Sequence, residues 1–170
     1  MNDQTAAAGP WRAEVIQDFA RSELFQRTFQ EGMDLVEETA AYLDGSGRQA
    51  SKLLSRSAAL SYAAESMRLT TRLMQVASWL LVQRAVREGD MPPDAACEDR
   101  YRMGGEEVSR TKGEGGEGLP HELVSLLDRS ERLYERVRHL DKRMYVEGET
   151  DAAPHPVLSQ HDRLKNAFGS

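Results

Sequence analysis

The stretch that decides the fold runs from Gln49 to Arg87 and reads QASKLLSRSAALSYAAESMRLTTRLMQVASWLLVQRAVR. It holds no proline and no glycine. Apolar or small side chains recur through it at helical spacing: Leu53, Leu60, Ala63, Ala64, Met67, Thr71, Met74, Ala77, Leu80 and Leu81. At ~1.5 Å of rise per residue, one helix over the whole stretch would be nearly 60 Å long. The mean globular helix has ~11–12 residues, so a helix of this length leans on long partners or on another chain.

The flanking sequence supplies partners. Upstream, Ser22 is placed to cap a first helix, and Phe25, Phe29, Met33, Val36, Ala40 and Leu43 give an apolar stripe as far as Asp44. Gly32 beside Met33 removes a side chain where two helices would cross closely. Asp44-Gly-Ser-Gly-Arg48 ends that helix with a connection short enough for an antiparallel return. Downstream, Pro92 and Pro93 end the long helix, and Asp94–Arg102 suits a short helical piece. A third helix is expected from about Pro120 to Val146, where Leu123, Leu126, Ser130, Leu133, Val137, Leu140 and Met144 alternate at spacings of three and four. The fold expected is therefore all-α, an antiparallel three-helix bundle with a long second helix. Residues 1–18 read as a flexible arm from which Trp11, Val15, Ile16 and Phe19 can dock back. Residues 19–147 read as the bundle domain, carrying a flexible acidic, glycine-rich insert at 104–118, and residues 148–170 as a mobile tail.

Charge is uneven along a chain of 170 residues with net charge -6. Arg21–Asp44 carries two basic and six acidic residues, whereas Gln49–Arg87 carries six basic and one acidic. Opposite excesses on consecutive helices favour packing them side by side, although exposed pairs contribute little each. The overall acidity argues against nucleic-acid binding, for which the arginines of the second helix would be the candidates. A single cysteine, Cys97, cannot form an intramolecular disulfide and fits a reducing compartment. The N-terminal residues have neither the basic nor the apolar region of a signal peptide, and Val76–Val82 is too short to span a bilayer. A cytoplasmic protein without membrane insertion is expected.

Catalytic chemistry is hard to assemble from these residues. His121, His139, His155 and His161 form no i,i+4 pair, and zinc needs three or four converging ligands. Glu98 and Asp99 beside Cys97 disfavour a thiolate. The acids Glu31, Asp34, Glu37 and Glu38 lack the Glu-x-x-His partners of a di-metal bundle and read as a solvated face. Gly113–Gly118 is interrupted by Glu114 and Glu117, which would repel a phosphate. No enzyme, cofactor or metal site is expected. Aromatic and arginine residues anchor protein interfaces, which makes Gln75–Arg84, with Trp79, the first choice for a partner surface.

The segments Ser61–Arg84 and Asp128–Asp141, with Phe25–Tyr42, resemble the alphaproteobacterial family DUF1465, over about Phe19–Tyr145. Met67–Arg84 is the most specific part. The resemblance implies a homodimeric three-helix bundle and a non-enzymatic adaptor in regulated proteolysis by ClpXP. Its partners would be the ClpX unfoldase, a response-regulator-like protein that primes it, and a further cyclic-di-GMP-binding adaptor. Its substrates would include the cell-cycle regulator CtrA, and the protein would concentrate at a cell pole. The residues expected to bind protein are Arg68, Arg72, Gln75, Trp79, Gln83 and Arg84 on the body and Leu164, Ala167 and Phe168 on the tail. The alternative is a structural dimerisation module or a transcription-related helical protein, distinguished by leaving protease turnover unchanged or by salt-sensitive DNA affinity.

Overall fold

The computed structural model describes residues 10–104 and 117–147. Among them are six α-helices: α1 (Pro10–Arg21), α2 (Glu23–Asp44), α3 (Ser46–Ser51), α4 (Arg56–Glu88), α5 (Pro93–Ala96) and α6 (His121–Lys142). A 3-10 turn, Asp99–Tyr101, follows α5, and a wider π-helical turn, Arg143–Glu147, extends α6. The all-α bundle with one long helix is present, but it is not built from three helices alone. The expected insert, apart from Gly104, Glu117 and Gly118, and the whole tail lie outside the described residues, as do residues 1–9.

Local chemistry sets most helix ends. The Ser22 Oγ accepts the Phe25 N–H at 3.1 Å, as expected of a cap, and Ser55 Oγ does the same for Ala58 at 3.3 Å. Gly89 closes α4 at φ 80°, a left-handed conformation that suits glycine, and Pro92 and Pro93 follow. The single helix expected over Gln49–Arg87 is corrected. Its first residues belong to α3, the chain breaks through 52–55, and α4 begins at Arg56. Ser55 caps the new start at Arg56, and α3 packs closely before the break: at Gly47 a Cβ would come within 2.7 Å of the Tyr42 ring and the Tyr62 hydroxyl.

A second correction concerns the arm. Residues 10–18 are not loose but belong to α1, whose Ile16 and Ala20 are fully buried. Its Phe19 ring meets both Phe25 and Trp79 at 5.7 Å between centroids, an aromatic cluster that ties α1 to α2 and α4.

The third correction is the order of directions. Gly32 of α2 lies against Leu80 and Phe29 beneath Arg84, so α2 and α4 are antiparallel. Arg129 pairs with Glu38 and Arg136 with Glu31, so α2 and α6 are antiparallel too. Consequently α4 and α6 run parallel: Gly118 sits beside Ala58, Arg72 reaches Leu127 and Ser130, and Trp79 reaches Asp141. A parallel neighbour needs a long return, and the connection from Gly104 to Glu117 provides it. Gly104 lies beside Tyr134, some 16 residues along α6 from Gly118, which is roughly 24 Å at helical rise.

The core runs along these three helices. On α6 it is the expected seam, with Leu123, Leu126, Ser130, Leu133, Val137 and Met144 all buried. On α2 the buried stripe is Phe25, Thr28, Gly32, Leu35, Thr39 and Tyr42, one residue earlier than most of the expected apolar set. Thr28 turns its hydroxyl to the Leu24 carbonyl at 2.8 Å, and Gly32 admits Leu80, whose Cδ1 would lie 2.6 Å from an added Cβ. Small and polar residues hold the closest contacts, which is why apolarity alone points to the neighbouring face.

Candidate protein-docking face

α4 carries two apolar stripes, one buried and one exposed. Leu69, Leu73, Val76 and Leu80 are buried against α2 and α6. Turned away from that contact stand Leu60, Met67, Met74 and Leu81, exposed to 67, 73, 64 and 50%. These four recur every seven residues, and a seven-residue repeat on a 3.6-residue helix drifts by ~20° per heptad, the geometry of a left-handed helix pair. Small residues flank the ridge, among them Ala63, Ala64, Thr70, Thr71, Ala77 and Ser78, so another backbone can approach closely.

Two grooves border the ridge, and Met74 separates them. One, about 420 Å³, is lined by Gln75, Ser78, Trp79 and Val82 of α4 and by Arg100–Gly104. The other, about 300 Å³, lies between α2 and α4 and is lined by Val36, Ala40, Leu43, Thr70, Leu73 and Ala77.

Behind the face, buried polar groups fix α4 to its neighbours. The Trp79 indole N–H donates to Asp141 Oδ1 at 3.0 Å, and the same oxygen accepts the Met103 N–H at 3.2 Å. Arg102 approaches the other carboxylate oxygen at 3.5 Å. Burial pushes the Asp141 carboxyl above its ordinary value, against the opposing pull of Trp79, Met103 and Arg102. The Arg72 guanidinium is buried, and among the described residues no carboxylate pairs with it. It donates to Ser130 Oγ at 2.9 Å and to the Leu127 carbonyl at 3.2 Å, and burial lowers its pKa.

The residues expected to bind protein therefore divide. Arg72, Trp79 and Gln83 are buried, Gln83 completely and beside Tyr145; Arg72 and Trp79 bond across to α6, and only an edge of Trp79 floors the first groove. Arg68 is mostly covered and bound to Glu65 at 2.7 Å. Gln75 lines the first groove, while Arg84 is half-exposed, paired with Glu88 and stacked over Phe29. The helix arginines do not form an open row that tracks phosphates. Leu164, Ala167 and Phe168 lie outside the described residues. What the sequence reading did not separate is the exposed set Leu60, Met67, Met74 and Leu81 from the buried set of the same helix. Their strict seven-residue spacing, beside a second apolar set at 62, 69, 73, 76 and 80, was the available signal.

No metal cluster of three or more His, Cys, Asp or Glu occurs among the described residues. Burial, then Asp94, raises the Cys97 thiol pKa. No described helix is long and apolar enough to cross a membrane.

The model of the family described as "Protein of unknown function (DUF1465)" matches residues 16–168. The chain belongs to the DUF1465 family. It is also similar to RcdA from Caulobacter crescentus CB15, whose crystal structure it matches at 71% identity and a TM-score of 0.63, over 76% of this chain and 98% of that one. No curated protein matches. As a DUF1465 member resembling RcdA, the chain is a non-enzymatic adaptor of regulated proteolysis in cell-cycle control.

Proposed function

We propose that this adaptor works as a homodimer, with ClpXP in the cytoplasm, and that α4 supplies the two-fold interface. The observation that carries the dimer is the symmetry of the exposed ridge. Read from either end of α4 it is Leu, Met, Met, Leu, with Thr70 and Thr71 at its centre. Two copies packed antiparallel would set Leu60 against the partner's Leu81 and Met67 against the partner's Met74. A two-fold axis requires a self-complementary patch of this kind. Apolar side chains so exposed are a standing cost that a second copy removes.

Dimerisation doubles every other docking surface, which raises the effective concentration of a tethered client without any chemistry. Clients of the CtrA type would be held on these surfaces, together with the response-regulator-like and cyclic-di-GMP-binding adaptors that the family resemblance implies, and polar concentration would follow from those partners. The test is a reconstituted degradation reaction with ClpXP, the primed partner proteins and CtrA, with and without this chain. Faster loss of CtrA while the adaptor persists supports the reading; an unchanged rate overturns it. Light scattering at micromolar concentration tests the dimer separately, and a monomer mass alone rejects it.

A further inference from the structure

The groove between α2 and α4 has no described occupant, and the chain carries a segment suited to it. We infer that Gln160–Phe168 docks as a short helix in this groove of its own chain, with Leu164, Ala167 and Phe168 facing the α2 wall formed by Val36, Ala40 and Leu43. Three observations converge on that occupant, and none depends on the dimer or on the protease.

The first is reach. The α2–α6 register pairs Glu38 with Arg129 and Glu31 with Arg136, so Glu147 lies about three residues' rise beyond the first residue of α2, Glu23. Ala40, in the groove, is then roughly 30 Å away along the bundle at helical rise. Seventeen residues separate Glu147 from Leu164 when the latter is counted. Extended, they span up to roughly 55–60 Å, and a flexible chain of that length averages about 20–25 Å. The segment thus reaches the groove without strain and is held at high effective concentration.

Charge is the second. Arg163 and Lys165 flank Leu164 on the two shoulders of such a helix. Asp44 lines the α2–α4 groove, and Glu37, two turns away on the same side of α2, is exposed like Asp44; neither is in an ion pair among the described residues. The groove on the other side of Met74 is rimmed by Arg100 and Arg102, each already paired with a carboxylate, and no acidic residue lines it to receive these shoulders. Electrostatics chooses between two apolar grooves of similar size. Asp162 works against this preference but leaves the segment net positive.

Third, the family match extends to residue 168, some twenty residues beyond the end of α6 and its π-turn. The segment therefore belongs to the pattern that defines the family, together with the bundle. Leu164 and Phe168, four apart, lie on one helical face, which is the spacing by which a peptide helix enters a groove.

The experiment uses the full chain with two introduced cysteines, Ala40→Cys and Ala167→Cys, and a short bismaleimide at high dilution. Cys97 is buried and stays out of the reaction. The control pair is Ser125→Cys with Ala167→Cys, because Ser125 is exposed on α6 at a comparable level of the bundle. Docking predicts intramolecular cross-linking at position 40 at least about tenfold faster than at 125, as expected when one encounter is held together. Adding Leu164→Asp and Phe168→Asp should bring the two rates within about twofold of each other, since the remaining tether is unbiased. Equal rates in the unsubstituted tail overturn the inference, and so does a product that joins two chains, which would place the segment on a second copy.

Discussion

On its inner side α4 carries Leu69, Leu73, Val76 and Leu80, each nearly free of solvent, whereas its outer side carries Leu60, Met67, Met74 and Leu81, each at least half exposed. The two sets are alike in chemistry and differ in what anchors them. The inner set is locked by polar side chains that reach across to α6, namely Arg72 to Ser130 and Trp79 to Asp141. The outer set has no anchoring polar partner within the described chain and leaves grooves on both sides. Buried hydrogen bonds specify a register, and a bare apolar ridge waits for whatever surface fits it.

The largest effect that would sharpen this contrast is expected at Leu80. Leu80→Ala empties the space beside Gly32 and should cost ~2–5 kcal/mol of stability, read by denaturant unfolding. A loss below about 1 kcal/mol would mean that the inner face is packed no better than the outer.

Next comes Asp141→Ala, which leaves the Trp79 and Met103 N–H groups without their acceptor, at ~1–3 kcal/mol for each group that stays dry. The same carboxylate gives a signed pH dependence. Because its folded-state pKa is raised, Asp141 contributes stability that is fully present below the ordinary aspartate value of 3.8 and is lost as pH rises through the folded value. Unfolding free energies of the wild type minus those of Asp141→Asn should therefore fall as pH rises from about 3.8. A flat or rising difference contradicts the burial.

On the outer side the double substitution Met67→Lys, Met74→Lys should leave monomer stability within ~0.5 kcal/mol, because these side chains already face water. The same change would bring lysines together across the antiparallel pair. Sedimentation should show self-association at least about tenfold weaker, as expected for a centrally placed hot spot. Loss of the fold instead would show that the ridge is structural.

The smallest effect falls on the exposed α2–α6 seam. Arg129 holds the Glu38 carboxyl below its ordinary pKa, but both side chains are about half in water, so Glu38→Gln should cost no more than ~1 kcal/mol and the cost should fade in high salt. A cost that survives high salt would mark this seam as another anchored contact.

Much of this molecule was legible along the chain. The Ser22 cap, the Gly32 crossing, the seam from Leu123 to Met144 and the end of α4 before Pro92 all rest on interactions within a few residues or on a strict period, and the sequence states those directly. The family resemblance was legible too, in Met67–Arg84. The site was read less well because periodicity reports that a helix has an apolar stripe, not which stripe meets the core. On α4 the more regular stripe, through Leu60, Met67, Met74 and Leu81, lies outside. On α2 the buried stripe is disguised by Thr28, Gly32 and Thr39.

By itself the sequence determined helix content, most helix ends, the absence of an intramolecular disulfide, and the family. Tertiary structure alone decided that α4 and α6 run parallel, that residues 10–18 close the bundle, and that Arg72, Trp79 and Gln83 turn inward while Met67 and Met74 turn out. The physical reason is that helix formation is settled by neighbours three and four residues away. The choice of buried face is settled by contacts between residues as far apart as Gly32 and Leu80, or Trp79 and Asp141, and no local pattern records them.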